Sequence, residues 1–359
     1  MSAASTSGVV LVTGVARYLG ANLAARLSAD PRVSRVIGVD SSTPSEDLRP
    51  VLDGVEVHQV DVQAPEVARL LVDADVEAVA HLAIATAPYP HGGRAAMKET
   101  NVIGTMQLLA ACQHAPALRR LVVRSSTAAY GASFRDPAVF TEETEPLEVP
   151  RGGFARDVLD IEGYVRGFRR RRPSVEATVL RFAPFVGPHA ETSLTRYFAQ
   201  PVVPTVLGRD PRLQFVHIED AFEVLLRSVV ESHPGTYNVA GRGVLALSQA
   251  IRRAGRIGAP VLEPGLNTAA ALARGAGAGA FSLDRLDLLV HGRVVDTSRL
   301  VAEFGFQPRS TAEAFDDFVR THGSGATLGP EAVRSAENLI LERIRQVRGQ
   351  RRGIGGHHD

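Results

Sequence analysis

A single cysteine, Cys112, stands in a chain of 359 residues. One thiol excludes an intramolecular disulfide, and no Cys/His cluster with zinc spacing occurs, so no metal site is expected and a reducing cytoplasmic compartment is. Charge of neither sign prevails: 40 basic residues face 39 acidic ones, which argues against a polyanion binder whose affinity comes from neutralised phosphates. No apolar run approaches the ~18 residues that a membrane-spanning helix needs. Met1 to Ser7 are small and polar without a basic start, and they read as a loose tail and not a signal peptide. Internal repeats are absent. The fold must therefore rest on ordinary apolar burial, and at one domain per ~100 to 200 residues the length allows two domains or one with a sizeable annex.

What is present alternates between two periods. Val9 to Val12 is a short apolar run suited to a buried parallel strand, and Leu19, Leu23 and Leu27 follow at helical spacing. Val36 to Val39 ends at Asp40, Val55 to Val60 at Asp61, and Ala78 to Ala83 makes a fourth strand. A helix is expected over Ala95 to Gln113, then Leu121 to Val123 runs into Ser125 and Ser126. Strands separated by helices indicate βαβ units, hence an α/β fold with a doubly wound, Rossmann-type parallel sheet. Ligands on such sheets sit beyond the carboxyl ends of the strands, where Asp40, Asp61, His81 and Ser125-Ser126 all fall.

The second half reads as a helix from Gly152 to Arg171, a strand Val175 to Arg181, a short helix at Thr192 to Phe198, and helices Glu219 to Val230 and Ser248 to Arg256. These imply a nucleotide-binding domain over 8–183, rejoined by 212–245, a smaller substrate lobe over most of 184–325, and a C-terminal helix with a basic tail over 326–359. Asn267 to Ala280 is nearly all alanine and glycine, and Pro330 to Val347 reads as a helix. Arg169 to Arg172 reads as solvated helix-end charge; the arginines from Arg343 to Arg352 are the place for nucleic acid, acidic lipid or a protein partner.

Gly14 and Gly20 bracket the first turn, Thr13-Gly14-Val15-Ala16-Arg17-Tyr18-Leu19-Gly20. Glycine lets the chain turn there, and a helix amino end directs N–H groups at a pyrophosphate. A dinucleotide fingerprint has a third glycine where Arg17 stands; Arg17 can turn outward and meet phosphate itself. Asp40, 20 residues beyond Gly20, is placed to accept hydrogen bonds from an adenosine ribose and would repel a 2′-phosphate, so NAD is expected over NADP. Asp61 is placed for the adenine amino group.

On these motifs, with Asp61-Val62, His81-Leu82-Ala83, Asn101 to Thr105, Ser125 to Gly131, Arg181 to Pro188 and Phe215 to Asp220, the chain resembles the extended short-chain dehydrogenases/reductases. Within them it is similar to the NAD-dependent epimerases and dehydratases of nucleotide sugars, in particular actinobacterial UDP-glucose 4-epimerase-like members. The resemblance implies cofactor contacts from Gly14, Arg17, Tyr18, Leu19, Gly20, Asp40, Asp61, Val62, Leu82 and Ala83. It makes Asn101 a brace of the central helix and puts Ser125 and Pro184 beside the nicotinamide, with Ser126 toward a substrate hydroxyl. It also implies a homodimer through the helices Ala95 to Gln113 and Phe154 to Arg171.

The family's acid/base is a tyrosine assisted by a lysine four residues later, on one helical face. Those positions align with Phe154 and Val158, which carry neither function. Substitutes are Tyr130, His189 and His217; Tyr164, ten residues past Phe154, is about 15 Å along the helix. Asp157 and Glu162 read as solvent-facing helix charges. Ser125 and Ser126 have no Gly-x-Ser-x-Gly elbow and no His/Asp partner at hydrolase spacing. The expected function is binding or redox sensing by an epimerase-like protein; the alternative is an active nucleotide-sugar epimerase with a non-standard acid/base.

Overall fold

The computed structural model describes residues 7–89, 92–150, 153–261 and 288–322. The chain opens with strand β1 (Ser7–Thr13), helix α1 (Tyr18–Ser28), β2 (Val33–Asp40) and β3 (Glu56–Gln59). Helix α2 (Pro65–Asp73) and β4 (Ala78–His81) follow, then α3 (Gly93–Lys98), a π-helical turn (Glu99–Ile103) and α4 (Gly104–Gln113). Strand β5 (Arg120–Ser126), α5 (Gly153–Arg171) and β6 (Glu176–Phe182) complete the first half.

Seven strands form one sheet in the order β11-β6-β5-β4-β1-β2-β3, all parallel, with β11 (Gly235–Val239) at the edge beside β6. The α/β doubly wound expectation is met. Because strand side chains alternate between faces, the apolar runs feed two separate layers. Val10, Val12, Ala80, Val122 and Leu180 meet Leu23 and Leu27 of α1 on one face, while Leu11, Val79, Leu121, Val123 and Val179 meet Leu108 of α4 and Ile161, Val165 and Phe168 of α5 on the other. Each fully buried side chain of this kind contributes roughly 1.5–3 kcal/mol. The chain leaves β1 toward β2 and β3, then returns to β4 on the opposite side, so the crevice where the strand order reverses lies between β1 and β4.

Beyond β6 come β7 (Phe185–Val186), α6 (Ser193–Ala199), β8 (Val202–Val206), β9 (Arg212–Leu213), β10 (Val216–His217) and α7 (Ile218–Val230). After β11 the chain adds β12 (Leu245–Ala246), α8 (Leu247–Arg253), β13 (Ile257–Val261), α9 (Ser298–Phe304) and α10 (Thr311–His322). Three two-stranded sheets, β10-β7, β12-β9 and β13-β8, accompany a second core. At its centre Phe315 stacks on Phe215 at 5.4 Å and takes Phe198 edge-on at 4.9 Å.

The helix expected over 95–113 is broken by its π turn, and Asn101 lies in that turn. Its side-chain amide pairs with both backbone groups of Ala85, at 2.7 and 2.9 Å. Arg169 to Arg172 is a partial correction: Arg170 and Arg171 are exposed, but Arg169 donates to the Ala177 and Gly235 carbonyls and Arg172 to those of Cys112, Gln113 and Ala115. The alanine-glycine stretch from Asn267 to Ala280, the helix expected from Pro330 and the basic tail lie outside the described residues.

Candidate functional site

The turn between β1 and α1 is shaped by close approach. Gly14 has φ +85°, and a Cβ there would sit 2.9 Å from the Ala83 nitrogen; a Cβ on Gly20 would sit 2.1 Å from the Gly14 carbonyl oxygen. No larger residue fits either position. Beneath the turn, the Thr13 hydroxyl accepts the N–H groups of Leu82 and Ala83, both at 3.1 Å, and bonds His81 Nδ1 at 2.9 Å. With both acceptor sites taken, the Thr13 proton must go to His81, so His81 Nε2 carries the hydrogen that meets Thr105 Oγ1 at 2.8 Å. Burial pushes the His81 imidazole down to about 4, which keeps it neutral and holds β1, β4 and α4 in one register.

Asp40 ends β2 against this turn. Its Oδ2 accepts from Ala16 N–H at 3.0 Å and its Oδ1 from Ser42 N–H at 2.9 Å, which fixes the carboxylate and leaves lone pairs on both oxygens. Arg17 occupies the position before α1 in an extended conformation, φ −118° and ψ 152°, that requires no glycine. No side chain caps α1 and its first turn holds no acidic residue, so the positive helix end faces the crevice uncompensated. The exposed Arg17 side chain turns outward, donating from Nη2 to the Tyr89 hydroxyl at 2.7 Å with its guanidinium 5.4 Å from the ring centre.

Beyond the ends of β5 and β6 lies a cavity of about 110 Å³, lined by Thr86, Arg124, Ser125, Ser126, Phe154, Pro184, Phe185 and Arg293 among others. Phe154 stands in its wall, and Val158, one turn on, is 1% exposed in the core. Ser126 Oγ accepts the Ala128 N–H at 3.1 Å, which leaves its own proton available to the cavity. A larger groove of about 840 Å³ runs along α5 beside residues 142–149, and Tyr130, Glu162 and Arg181 also line it.

Behind the cavity the polar groups close on one another. Glu162 takes Arg181 through both oxygens, at 2.9 and 2.7 Å, and accepts the Ser125 hydroxyl at 2.6 Å. Arg181 also donates to the Tyr130 hydroxyl at 2.8 Å, and that hydroxyl donates to Asn238 Oδ1 at 2.7 Å. Burial raises the Tyr130 phenol above its ordinary value, against the opposing pull of Arg181 and Asn238. In the same helix Asp157 receives a bidentate Arg94, at 2.8 and 2.6 Å, plus Asn101 Nδ2 at 3.1 Å. The expectation that Asp157 and Glu162 face solvent is therefore corrected: they are 0% and 3% exposed. The missed signal is positional. Val158, Ile161, Val165 and Phe168 set the buried stripe of α5, and Glu162, four residues after Val158 and three before Val165, falls inside it.

The structure thus gathers Gly14, Arg17, Gly20, Asp40, Leu82 and Ala83 at one end of the crevice, and Ser125, Ser126, Pro184 and Phe154 at the other. Asn101 lies behind the wall and Tyr130 within the buried network. Tyr18 and Leu19 turn toward α7, Tyr18 packing on Phe222 and His189 at 6.0 Å each. Val62 is buried against Gly104, and Asp61 is exposed, accepting the Gln63 N–H at 2.9 Å. His217 is fully engaged: Nδ1 accepts from Glu219 N–H and Nε2 meets Asp317 at 2.8 Å. Sequence reasoning did not find Tyr89 or Arg94, and it quoted Thr13 and Thr105 within their motifs without giving them a role.

The sequence model of the NAD dependent epimerase/dehydratase family matches residues 10–240. The chain belongs to that family. Among family relatives, an uncharacterized protein of Mycobacterium tuberculosis is 44% identical over 334 residues, covering 93% of this chain and 89% of its own length. A UDP-glucose 4-epimerase of Mycolicibacterium smegmatis is 27% identical over 268 residues, covering 70% of this chain and 83% of that protein. The family fold is also that of the Thermotoga maritima UDP-glucose 4-epimerase solved with UDP-glucose (TM-score 0.67, 19% identity, 87% of this chain and 98% of that one). A tyrosine-to-phenylalanine variant of the Bacillus cereus UDP-glucuronic acid 4-epimerase, in complex with a fluorinated UDP-glucuronic acid and NAD, is similar at TM-score 0.64 and 18% identity, covering 88% of this chain and 98% of that one. No described helix is long and apolar enough to cross a membrane, and the described residues contain no cluster suited to a metal ion.

Proposed function

We propose that this family member holds NAD in the crevice between β1 and β4 and works by binding and redox sensing, without the family's tyrosine-lysine proton exchange. The cofactor half of the reading is supported by the glycine cradle at Gly14 and Gly20, the uncapped end of α1 and the fixed Asp40 carboxylate. When bound, NAD would supply a hydride acceptor. The remainder of the chemistry falls to the chain, and there the deciding observation is Phe154. It lines the cavity at the family's tyrosine position, with Val158 buried at the lysine position. A hydrocarbon ring excludes water and packs a flat ligand but takes no proton from a sugar hydroxyl. Two of the substitutes are committed elsewhere, Tyr130 to Asn238 and Arg181 and His217 to Asp317 and Glu219, and the third, His189, packs on Tyr18. Binding without a phenol has a precedent among the neighbours, since the tyrosine-to-phenylalanine variant was solved with NAD and a sugar nucleotide.

Calorimetric titration with NAD and NADH tests the binding half, and no heat at millimolar cofactor ends it. The competing reading is an active nucleotide-sugar epimerase with a different acid/base, and Ser126, which lines the cavity and whose hydroxyl donates to no described residue, favours it. Incubation with UDP-glucose or UDP-galactose separates the two. Interconversion, or transient NADH absorbance, would establish turnover and overturn the sensing reading. A homodimer through α4 and α5 belongs to the proposal on the strength of the family resemblance. The outer side of α5 exposes Arg156, Arg166 and Arg170, so a dimer that brings two such faces together should strengthen with salt in sedimentation, as their repulsion is screened. A protein partner at the basic C-terminal tail is proposed as well, and removing that tail should leave the unfolding midpoint unchanged.

A further inference from the structure

Arg17 is placed where the family pattern has glycine, at the one point of the turn where backbone would approach phosphate. Three observations bear on what it does there. Its backbone is in an ordinary extended conformation, so the substitution strains nothing. The residue before it, Ala16, is anchored to Asp40, so the base of the side chain is fixed beside the carboxylate of the crevice. Among the described residues its guanidinium is paired with no carboxylate; it rests on the Tyr89 hydroxyl and ring.

Tyr89 lies on the connection leaving β4, whose first residues, Leu82 and Ala83, pack on Gly14. The Arg17–Tyr89 contact therefore spans the mouth of the crevice between β1 and β4. A phenol is a neutral partner, which a doubly charged pyrophosphate would outcompete for a guanidinium. The uncapped α1 end points the same way and adds positive potential at the same place.

We infer that Arg17 is the pyrophosphate ligand of this crevice, parked on Tyr89 and transferred to the dinucleotide on binding, so that a charged side chain replaces the backbone contact of the usual glycine. The inference rests on the NAD reading above and adds a residue and a consequence to it. Affinity should depend on ionic strength more than a glycine turn would allow, and adenosine, which has no phosphate, should be indifferent to Arg17.

The test uses the full chain and its Arg17→Gly, Arg17→Lys and Tyr89→Phe variants, with NADH, ADP-ribose and adenosine as probes at low and high salt. Binding is read by fluorescence or calorimetry and exchange by stopped flow, with near-UV circular dichroism to check folding. Arg17→Gly should weaken NADH and ADP-ribose about tenfold, leave adenosine unchanged and flatten the salt dependence. Arg17→Lys should recover part of the loss. Tyr89→Phe should speed association and tighten NADH about two- to fivefold, since a competing partner is gone. If Arg17→Gly binds NADH as well as or better than the natural protein, Arg17 is a plug and the inference is overturned while NAD binding stands. If the natural protein binds neither NADH nor ADP-ribose, both readings fall.

Discussion

The two ends of the crevice treat their polar groups in opposite ways. At the carboxyl ends of β1 and β2, the turn glycines, the α1 end and Asp40 present donors and acceptors toward the opening, each steadied by one backbone bond. At the ends of β5 and β6, the carboxylate turns away from the cavity, and the cations that line it, Arg124 and Arg293, donate to the backbone carbonyls of Ile84 and Gly131. Ser125, Glu162, Arg181, Tyr130 and Asn238 satisfy one another behind it, and Phe154 faces it. One end is arranged to hold a ligand; the other is arranged to hold itself. That contrast places buried charge in the frame of the site and not in its chemistry.

The sharpest way to break the contrast is to remove a carboxylate from the frame. Glu162→Ala leaves the Arg181 guanidinium buried without its partner, and losing one member of a buried pair costs about 3–5 kcal/mol. Urea denaturation should show that loss, whereas Arg17→Gly at the exposed turn should cost a few tenths of a kcal/mol. A Glu162→Ala midpoint near that of the natural protein would mean that the network carries no structural load.

Next in size is a pH effect that belongs to the frame of the other end. The folded His81 imidazole lies at about 4, below its ordinary 6.5, so between those values the unfolded chain binds the extra proton. Stability therefore falls as pH drops through that window, by about 3 kcal/mol in all. The carboxylates held low by ion pairs, Asp30, Glu56 and Asp317, contribute at the acid end and below it. Urea midpoints taken from pH 7 to 4.5 should decline, and a His81→Gln variant should decline less.

The fold class was legible because β1, β4 and β5 carry short apolar runs separated by helical periods, the pattern that a sheet covered on both faces imposes. The turn was legible from Gly14, Gly20 and Asp40, since close approach and a strand-end carboxylate leave a mark in residue type. Glu162 and Asp157 were misread because charge was allowed to outweigh position; their spacing from Val158 and Ile161 put them on the buried side of α5. Arg181 gave a second hint, a cation near the end of Thr178-Val179-Leu180-Arg181-Phe182, which on an interior strand calls for a buried partner. The Thr13–His81–Thr105 relay and the Arg17–Tyr89 contact join residues 24 to 72 positions apart. No local period encodes such pairs. Only the strand order brings them together.

At the ligand-holding end, Asp40→Asn keeps one acceptor oxygen for a backbone N–H but loses the charge that strengthens bonds from ribose hydroxyls. NADH affinity should fall about ten- to hundredfold, with the unfolding midpoint little changed. Unaltered affinity in titration would place the adenosine elsewhere and dissolve the distinction between the two ends.

The smallest expected effect probes the end that faces the cavity with hydrocarbon. Phe154→Tyr adds one hydroxyl to a ring that already borders open space of about 110 Å³, so stability should change by no more than about 0.5 kcal/mol. A phenol alone does not complete the chemistry. Its free pKa is near 10, the residue one turn on is Val158, which supplies no cation to lower it, and the cavity's arginines, Arg124 and Arg293, donate to the carbonyls of Ile84 and Gly131. The variant should therefore bind NADH as before and still fail to interconvert UDP-glucose and UDP-galactose. Turnover appearing with that single change would show that the cavity retains the rest of a proton relay, with Ser126 its nearest candidate, and that the two ends differ by one oxygen atom and not by design of the whole wall.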